Sequence, residues 1–192
     1  MFCDCDDTVC TDWCEKLLLA MEAAQADLSI CGYRVIKNGK TVWENSWPEE
    51  PRACTVSRLL KCNLLNSPCN KLFRRELIEA HKLRYDPTMQ YAEDQVFNLH
   101  YIQHCGGLLV CVKEHLYNYF NDNSNSASSC FVPNLWEQRR KSLTLLQQTL
   151  EQILRQFHGH FQLEQQQKIF QLFRNADRFI FECGQIVFSD GG

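Results

Sequence analysis

Two acidic stretches stand out among the residues able to do chemistry. Near the start, Asp4, Asp6 and Asp7 fill three of four consecutive positions, and far along the chain Glu93 and Asp94 are adjacent. Carboxylates are hard oxygen donors, so the Asp-x-Asp pair Asp4 and Asp6 would hold a divalent cation that in turn neutralises phosphate oxygens. The residues from Met1 to Thr8 read as a short buried strand. A strand that delivers Asp-x-Asp to its C-terminal edge puts those carboxylates where α/β proteins bind ligands, just outside the sheet. Lys71 is a candidate for contact with phosphate or for orienting a loop, against the commoner case of a lone lysine that is simply solvated.

Other polar groupings carry less. Cys3, Cys5, Cys10 and Cys14 form C-x-C-x4-C-x3-C, but zinc ribbons pair C-x2-C knuckles across a loop and no second knuckle exists here. With Cys3 and Cys5 alternating with Asp4 and Asp6, the thiols read as small apolar residues kept reduced. His100 and His104 stand four apart on an expected helix, yet the glutamate of H-E-x-x-H and a third ligand are missing; they read as half-buried helix residues. His158-Gly159-His160 reads as a turn between helices.

The elements that must position these groups follow from periodicity. Thr11 is the expected N-cap of a helix in which Trp13, Leu17, Leu18, Met21 and Ala24 recur at helical spacing. Residues Ala26 to Ile36 are rich in strand formers. Lys37-Asn38-Gly39-Lys40 signals a tight turn, and Thr41 to Glu44 return as a hairpin. A short helix is expected over Thr55–Leu65, another from about Arg74, and a third from Ala92-Glu93-Asp94 to about His104, stopped by Gly106-Gly107. Leu108–Val112 and Leu116–Phe120 read as two buried strands, and Asn121–Ser129 as a mobile polar loop. Two helices close the chain, Trp136–Phe157 and Leu163–Cys183, forming a hairpin.

Composition narrows the function classes. With 45% hydrophobic and 22% charged residues, the 192-residue chain suits a soluble globular domain. A net charge of −3 with no basic stripe leaves nucleic-acid binding without electrostatic support. The longest apolar runs, Leu17 to Met21 and Leu108 to Val112, are too short to cross a bilayer. No basic-apolar leader precedes the acidic stretch, so a cytoplasmic location is expected.

Two family resemblances attach to these residues. Phe2 to Val9 resembles the D-x-D-x-T-V strand of haloacid-dehalogenase-type phosphatases, which implies Asp4 as nucleophile and Asp6 as acid/base; the family's downstream lysine and late acidic pair have no counterpart here. The other resemblance runs further. Phe2–Asp7, Trp13–Leu17, Ala26–Tyr33, Ser67-Pro68-Cys69-Asn70-Lys71-Leu72-Phe73, Tyr91–Phe97 and Leu116–Tyr119 are similar, in order, to blocks of family-2 glycosyltransferases from their D-x-D motif onward. The chain departs from them at Cys69, where relatives carry an aromatic, and at Phe120-Asn121-Asp122, where relatives often carry diphosphate-binding arginines.

The second resemblance implies an α/β fold: part of a GT-A (nucleotide-diphospho-sugar transferase) sheet with helices, followed by the helical hairpin. Residues 1–130 would be the catalytic and acceptor half, residues 131–192 the C-terminal helical pair, and the nucleotide-binding half that precedes D-x-D in relatives would be absent. It implies a metal-dependent transfer, in surface-polysaccharide assembly, from a nucleotide-sugar donor to a hydroxyl of a carbohydrate or lipid-linked glycan. Asp6 would ligate Mg or Mn, and Asp4 would hold the donor ribose or the metal shell. Lys71 would serve the donor, and Asp94, at a helix start where a carboxylate suits the dipole, would be the base. Asp7 would be a supporting group or merely a turn residue. The implied location is cytoplasmic at the inner face of the membrane, with association at its periphery. For a fragment of this kind little or no activity in isolation is expected, and a noncatalytic binding module is the alternative of a different class.

Overall fold

In a computed structural model, residues 1–48, 52–54, 56, 59, 62–106, 109–121 and 132–156 are described. The chain runs β1 (Thr8–Val9), α1 (Trp13–Ala23), β2 (Leu28–Lys37), β3 (Lys40–Asn45), β4 (Arg52–Cys54), β5 (Lys71–Phe73), α2 (Arg75–Ala80), α3 (Glu93–Gln103), β6 (Leu109–Phe120) and α4 (Leu135–Gln156).

The sheet is organised around two long parallel strands. β2 and β6 pair in parallel from Leu28 opposite Leu109 to Ile36 opposite Phe120. On the far side of β6, β4 pairs antiparallel with Leu109–Cys111, and β1 pairs antiparallel with Tyr117 and Asn118. On the far side of β2, β5 covers Leu28–Ile30 and β3 covers Tyr33–Lys37, both antiparallel. The β2–β3 turn works because Asn38 (φ 51°) and Gly39 (φ 70°) both take the left-handed conformation that a two-residue hairpin requires.

β6 departs from the two-strand expectation. It is one strand of 12 residues, with register shifts on either side of Gly32, where β6 carries extra residues opposite β2. Lys113 and Glu114 are exposed at this irregularity, so a break in the apolar pattern marks a bulge rather than a strand end. Gly32 is needed there: a Cβ on it would stand 2.6 Å from the Ser46 Cβ and 2.8 Å from the Asn45 carbonyl oxygen.

Packing follows amphipathic spacing. α1 buries Trp13, Leu17 and Met21, one every fourth residue, against the sheet. Trp13 and Leu17 join Cys31, Cys69, Val112, Leu116 and Tyr117 in one core cluster. The helix begins one residue later than expected, with Asp12 rather than Thr11 at the cap position and no side-chain cap bond. α3 buries Val96, Phe97, Asn98, Leu99, Tyr101 and Ile102, so it sits within the fold rather than on its surface. Tyr101 ties its end to the sheet: its hydroxyl donates to the Asp27 carbonyl at 2.7 Å and accepts from the Arg74 backbone N–H at 2.8 Å.

Several expectations need correction. Residues 1–7 form no strand: only Thr8–Val9 pairs, and Met1, Cys3, Asp4, Cys5 and Asp6 are exposed. Three carboxylates in four residues repel one another and demand water, which favours a turn over a buried ladder. Phe2 alone supplies an anchor, edge-on to Phe73, Tyr85 and Phe97 at 5.5–5.8 Å between ring centroids. Lys71–Phe73 is a strand that the periodicity did not mark. His100 and His104 are exposed, not half-buried, and His104 stacks on His81 at 3.7 Å. Of the helix expected over Thr55–Leu65, Val56 and Leu59 are helical and residues 62–65 are not. The Asn121–Ser129 loop beyond Asn121, the His158–His160 turn and the Leu163–Cys183 helix lie outside the described residues.

Among the described residues no helix is long and apolar enough to cross a membrane. The final described helix, α4, packs on the body that carries α3. The Gln138 Oε1 accepts from the backbone N–H of both Gln90 and Tyr91 at 2.8 Å, and the Gln152 Nε2 donates to the Gln103 carbonyl at 2.8 Å.

Candidate functional site

The acidic turn is held by β6 through the Tyr117 side chain and the Phe120 backbone N–H. The Asp7 Oδ1 accepts from the Phe120 backbone N–H at 2.8 Å, and its Oδ2 accepts from the Tyr117 hydroxyl at 2.5 Å. The same hydroxyl accepts from the Asp4 backbone N–H at 3.3 Å. Within the turn, the Asp7 N–H donates to the Asp4 carbonyl at 3.2 Å. Burial pushes the Asp7 carboxyl up; its two hydrogen bonds oppose this, while the charges of Asp4 and Asp6 reinforce it. The Tyr117 phenol is held protonated by burial and by its donation to Asp7.

Asp4 and Asp6 differ from Asp7 in being exposed. They are hard donors that water, a cation or a ligand can reach. Among the described residues no three His, Cys, Asp or Glu side chains form a group that would hold a metal unaided. Cys3, Cys5, Cys10 and Cys14 are free thiols.

Asp94 enters the same neighbourhood from α3. Its carboxyl is pushed up to about 6, first by burial, then by the charges of Glu93 and Asp4, with Lys71 pulling the other way. Asp4 is thus close enough to Asp94 to raise the cost of its ionisation. Cys69 bridges the two stretches. Its thiol donates weakly to the Asp4 Oδ2 at 3.6 Å, and burial, opposed by bonds to Ser67 and Tyr117 and reinforced by Asp4 and Asp94, raises it to about 11. Burial also raises the Tyr85 phenol, followed by Asp94, Cys69 and Asp4. Asp6 acts on Asp7 and Tyr119.

The backbone entering α3 is unusual. Ala92, at the N-cap position, has φ 58° and ψ 18°, a left-handed conformation that costs a residue bearing a Cβ about 1–2 kcal/mol. Strain of this kind persists only where the surroundings enforce it, and here it directly precedes Glu93 and Asp94.

Lys71 corrects the expectation that it meets donor phosphate. It is fully buried, and its Nζ donates to the Leu64 carbonyl at 2.7 Å, to the Asn70 Oδ1 at 2.8 Å and to the Ser67 carbonyl. An ammonium has three protons and all three are engaged. Burial lowers its pKa to about 7, against the opposing pull of Cys31, Cys69, Cys111 and, least, Asp94. Lys71 therefore ties the 64–70 loop together through Leu64, Ser67 and Asn70. Asn70 continues the tie by donating to the Cys31 carbonyl at 2.8 Å, and Asn98 of α3 donates to the Leu65 carbonyl at 2.7 Å.

Tyr117, Tyr85 and Asn98 were not singled out from sequence as individual residues. Asn98 did carry a signal, being a polar residue inside the apolar run of α3. Tyr117 lay within an apolar strand pattern, where a phenol reads as packing. The strand that would have delivered Asp4 as a phosphatase nucleophile does not form, so the dehalogenase-type resemblance loses its structural support.

Residues 1–82 match the family described as Glycosyl transferase family 2. EpsH of Bacillus subtilis (strain 168), which carries a glycosyltransferase name, is 31% identical over 104 residues, covering 50% of the chain and 30% of EpsH. The chain resembles S. aureus TarS 1-349 solved with UDP-GlcNAc at a TM-score of 0.63, with 19% identity over 76% of the chain and 41% of that structure. It also resembles the same protein solved with UDP at 0.56, with 17% identity over 80% and 40%. The chain thus spans under a third of the curated relative and under half of these structures. Its mixed α/β sheet has the GT-A fold seen in TarS, and over residues 1–82 it carries a match to glycosyl transferase family 2.

Proposed function

We propose that the chain takes part in metal-dependent transfer of a sugar from a nucleotide-sugar donor to a hydroxyl acceptor on a carbohydrate or lipid-linked glycan. The observation that carries this is that Phe2 packs on Phe97 of α3 at 5.5 Å, which sets the turn with its exposed carboxylates against the helix that begins at Glu93 and Asp94; burial, then Glu93 and Asp4, raise the Asp94 carboxyl there to about 6. The match of residues 1–82 to glycosyl transferase family 2, and the likeness to a protein solved with UDP-GlcNAc, support the donor class.

The donor set fits a hard cation shared with a ligand. A magnesium-type ion takes one or two carboxylates and completes its shell with phosphate oxygens and water rather than with an all-protein cage. Asp6 and Asp4 are the exposed pair that would hold it, and when bound it would neutralise charge on the departing diphosphate. Asp94 accepts the proton of the acceptor hydroxyl as that oxygen bonds to the anomeric carbon and the bond from that carbon to the diphosphate oxygen breaks. A base of pKa about 6 is ionised at neutral pH yet basic enough to help. Lys71 and Asn70 hold the 64–70 loop so that Cys69 stays against Asp4.

In this proposal residues 1–130 form the catalytic and acceptor half, and residues 131–192 form a helical pair. The reaction would serve surface-polysaccharide assembly in the cytoplasm, at the inner face of the membrane and associated with its periphery. The test is calorimetric titration of the chain with UDP and UDP-sugars in Mn2+ and in EDTA, with release of UDP from UDP-sugars measured alongside. Binding that needs Mn2+ and is lost in Asp6→Asn is expected. Absence of nucleotide binding under both conditions would leave the noncatalytic binding module as the better description.

A further inference from the structure

Of the three carboxylates in the turn, one is consumed by the protein itself. Both oxygens of Asp7 are engaged, one by the Phe120 N–H and one by the Tyr117 hydroxyl, whereas Asp4 and Asp6 are exposed. Tyr117 is 2% exposed and its ring packs edge-on against Trp13 at 5.9 Å, so its hydroxyl is a fixed point. That hydroxyl donates to Asp7 and accepts from the Asp4 N–H, while the Asp7 N–H returns to the Asp4 carbonyl. The turn is closed by one ring of bonds that passes through a single buried phenol. Without it, the repulsion of three neighbouring negative charges would be opposed at these carboxylates by the Phe120 N–H on Asp7 and the weak Cys69 thiol contact on Asp4.

We infer that Asp7 and Tyr117 are positioning residues: together they pin the acidic turn to the end of β6 and so present Asp4 and Asp6 as a preformed pair to a divalent cation carrying a nucleoside diphosphate. Asp7 itself takes no part in holding the cation. The inference rests on the sugar-transfer proposal only for the identity of what the pair receives; the pinning is a property of the chain alone. A preformed pair binds more tightly than one that must be ordered on binding, and the restraint should weaken when either end of the Tyr117–Asp7 bond is removed.

The test uses Tyr117→Phe, Asp7→Asn and the double variant in the full chain. Tyr117→Phe keeps the ring against Trp13, and circular dichroism checks that the fold is retained. Mn2+ affinity is read by electron paramagnetic resonance with and without UDP, and exchange of the Asp4 amide proton by NMR. Each single variant is expected to weaken Mn2+ binding about tenfold and to speed Asp4 amide exchange at least tenfold, with β2 amides unchanged. The double variant is expected to match the singles, because both remove one shared restraint. If Asp7 were a ligand, Asp7→Asn would abolish Mn2+ binding while Tyr117→Phe left it intact, which would overturn the inference. Should the wild type bind no Mn2+ at all, the sugar-transfer proposal fails, and exchange alone decides the pinning: faster Asp4 exchange in both variants upholds it and unchanged exchange overturns it.

Discussion

Asp94 is the residue on which chemistry and stability pull in opposite directions. Its carboxyl stands at about 6 in the fold against an ordinary 3.8, so between those pH values the folded chain binds more protons than the unfolded one. Folding stability therefore falls as pH rises through this window, and above about 6 the full cost of a buried carboxylate is present. At about 1.4 kcal/mol per unit that cost is at most about 3 kcal/mol. Asp94→Asn is expected to raise the urea midpoint at pH 8, and under the proposed function it lowers any transfer the chain supports by about 10²- to 10⁴-fold. In the wild type, transfer is expected to fall away below about pH 6, and a pH–rate profile checks this. Lys71 behaves in the opposite way. Lys71→Met would leave the Leu64 and Ser67 carbonyls and the Asn70 Oδ1 without their donor. A loss of about 3 kcal/mol or more is expected in urea unfolding, since three acceptors lose their donor and each buried unpaired polar group costs about 1–3 kcal/mol. Lys71 shows why residue type alone misleads: in sequence it is a cation near a binding motif, and only the 64–70 loop folding over it turns it into a structural pin.

At the scale of elements, the central weakness is the bulged pairing of β2 with β6. Gly32→Ala would drive a Cβ into Ser46, the Asn45 carbonyl and the His115 ring. A loss of about 2 kcal/mol or more is expected, with faster amide exchange along Tyr33–Ile36, where hydrogen exchange can localise it. Much at this scale was legible in the sequence. The spacing of Trp13, Leu17 and Met21 marked α1, Asn38-Gly39 marked the hairpin, and Ala92-Glu93-Asp94 marked the start of α3. The misses have physical causes. Lys113-Glu114 interrupts the apolar pattern of β6, and a bulge cannot be told from a strand end by periodicity. Lys71–Phe73 is too short to show a period, and Lys71 is buried on it through hydrogen bonds that sequence does not reveal. The opening residues alternate in type like a strand, but carboxylate repulsion and the tie from Asp7 to Tyr117 make them a turn.

At the scale of the whole molecule, the fold brings together stretches about ninety residues apart in the chain. Phe2 packs on Phe97 of α3, which holds the start of the chain against the helix that carries Asp94. α4 braces the same helix through Gln103, whose Nε2 donates to the Thr149 hydroxyl at 3.0 Å and whose carbonyl accepts from Gln152. Sequence order gave no hint of either contact, because both depend on how the helices pack rather than on any local pattern. The claim on which the proposed function rests is that a cation at the acidic turn lies beside Asp94. Paramagnetic broadening by Mn2+ with UDP, read on the side-chain carboxyl carbon of Asp94 by NMR, tests it without requiring turnover. The Asp94 signal is expected to broaden at low Mn2+ occupancy, to recover in Asp6→Asn, and to do so while the Glu22 signal on α1 stays sharp. A sharp Asp94 signal under conditions that broaden Asp6 would contradict a shared site.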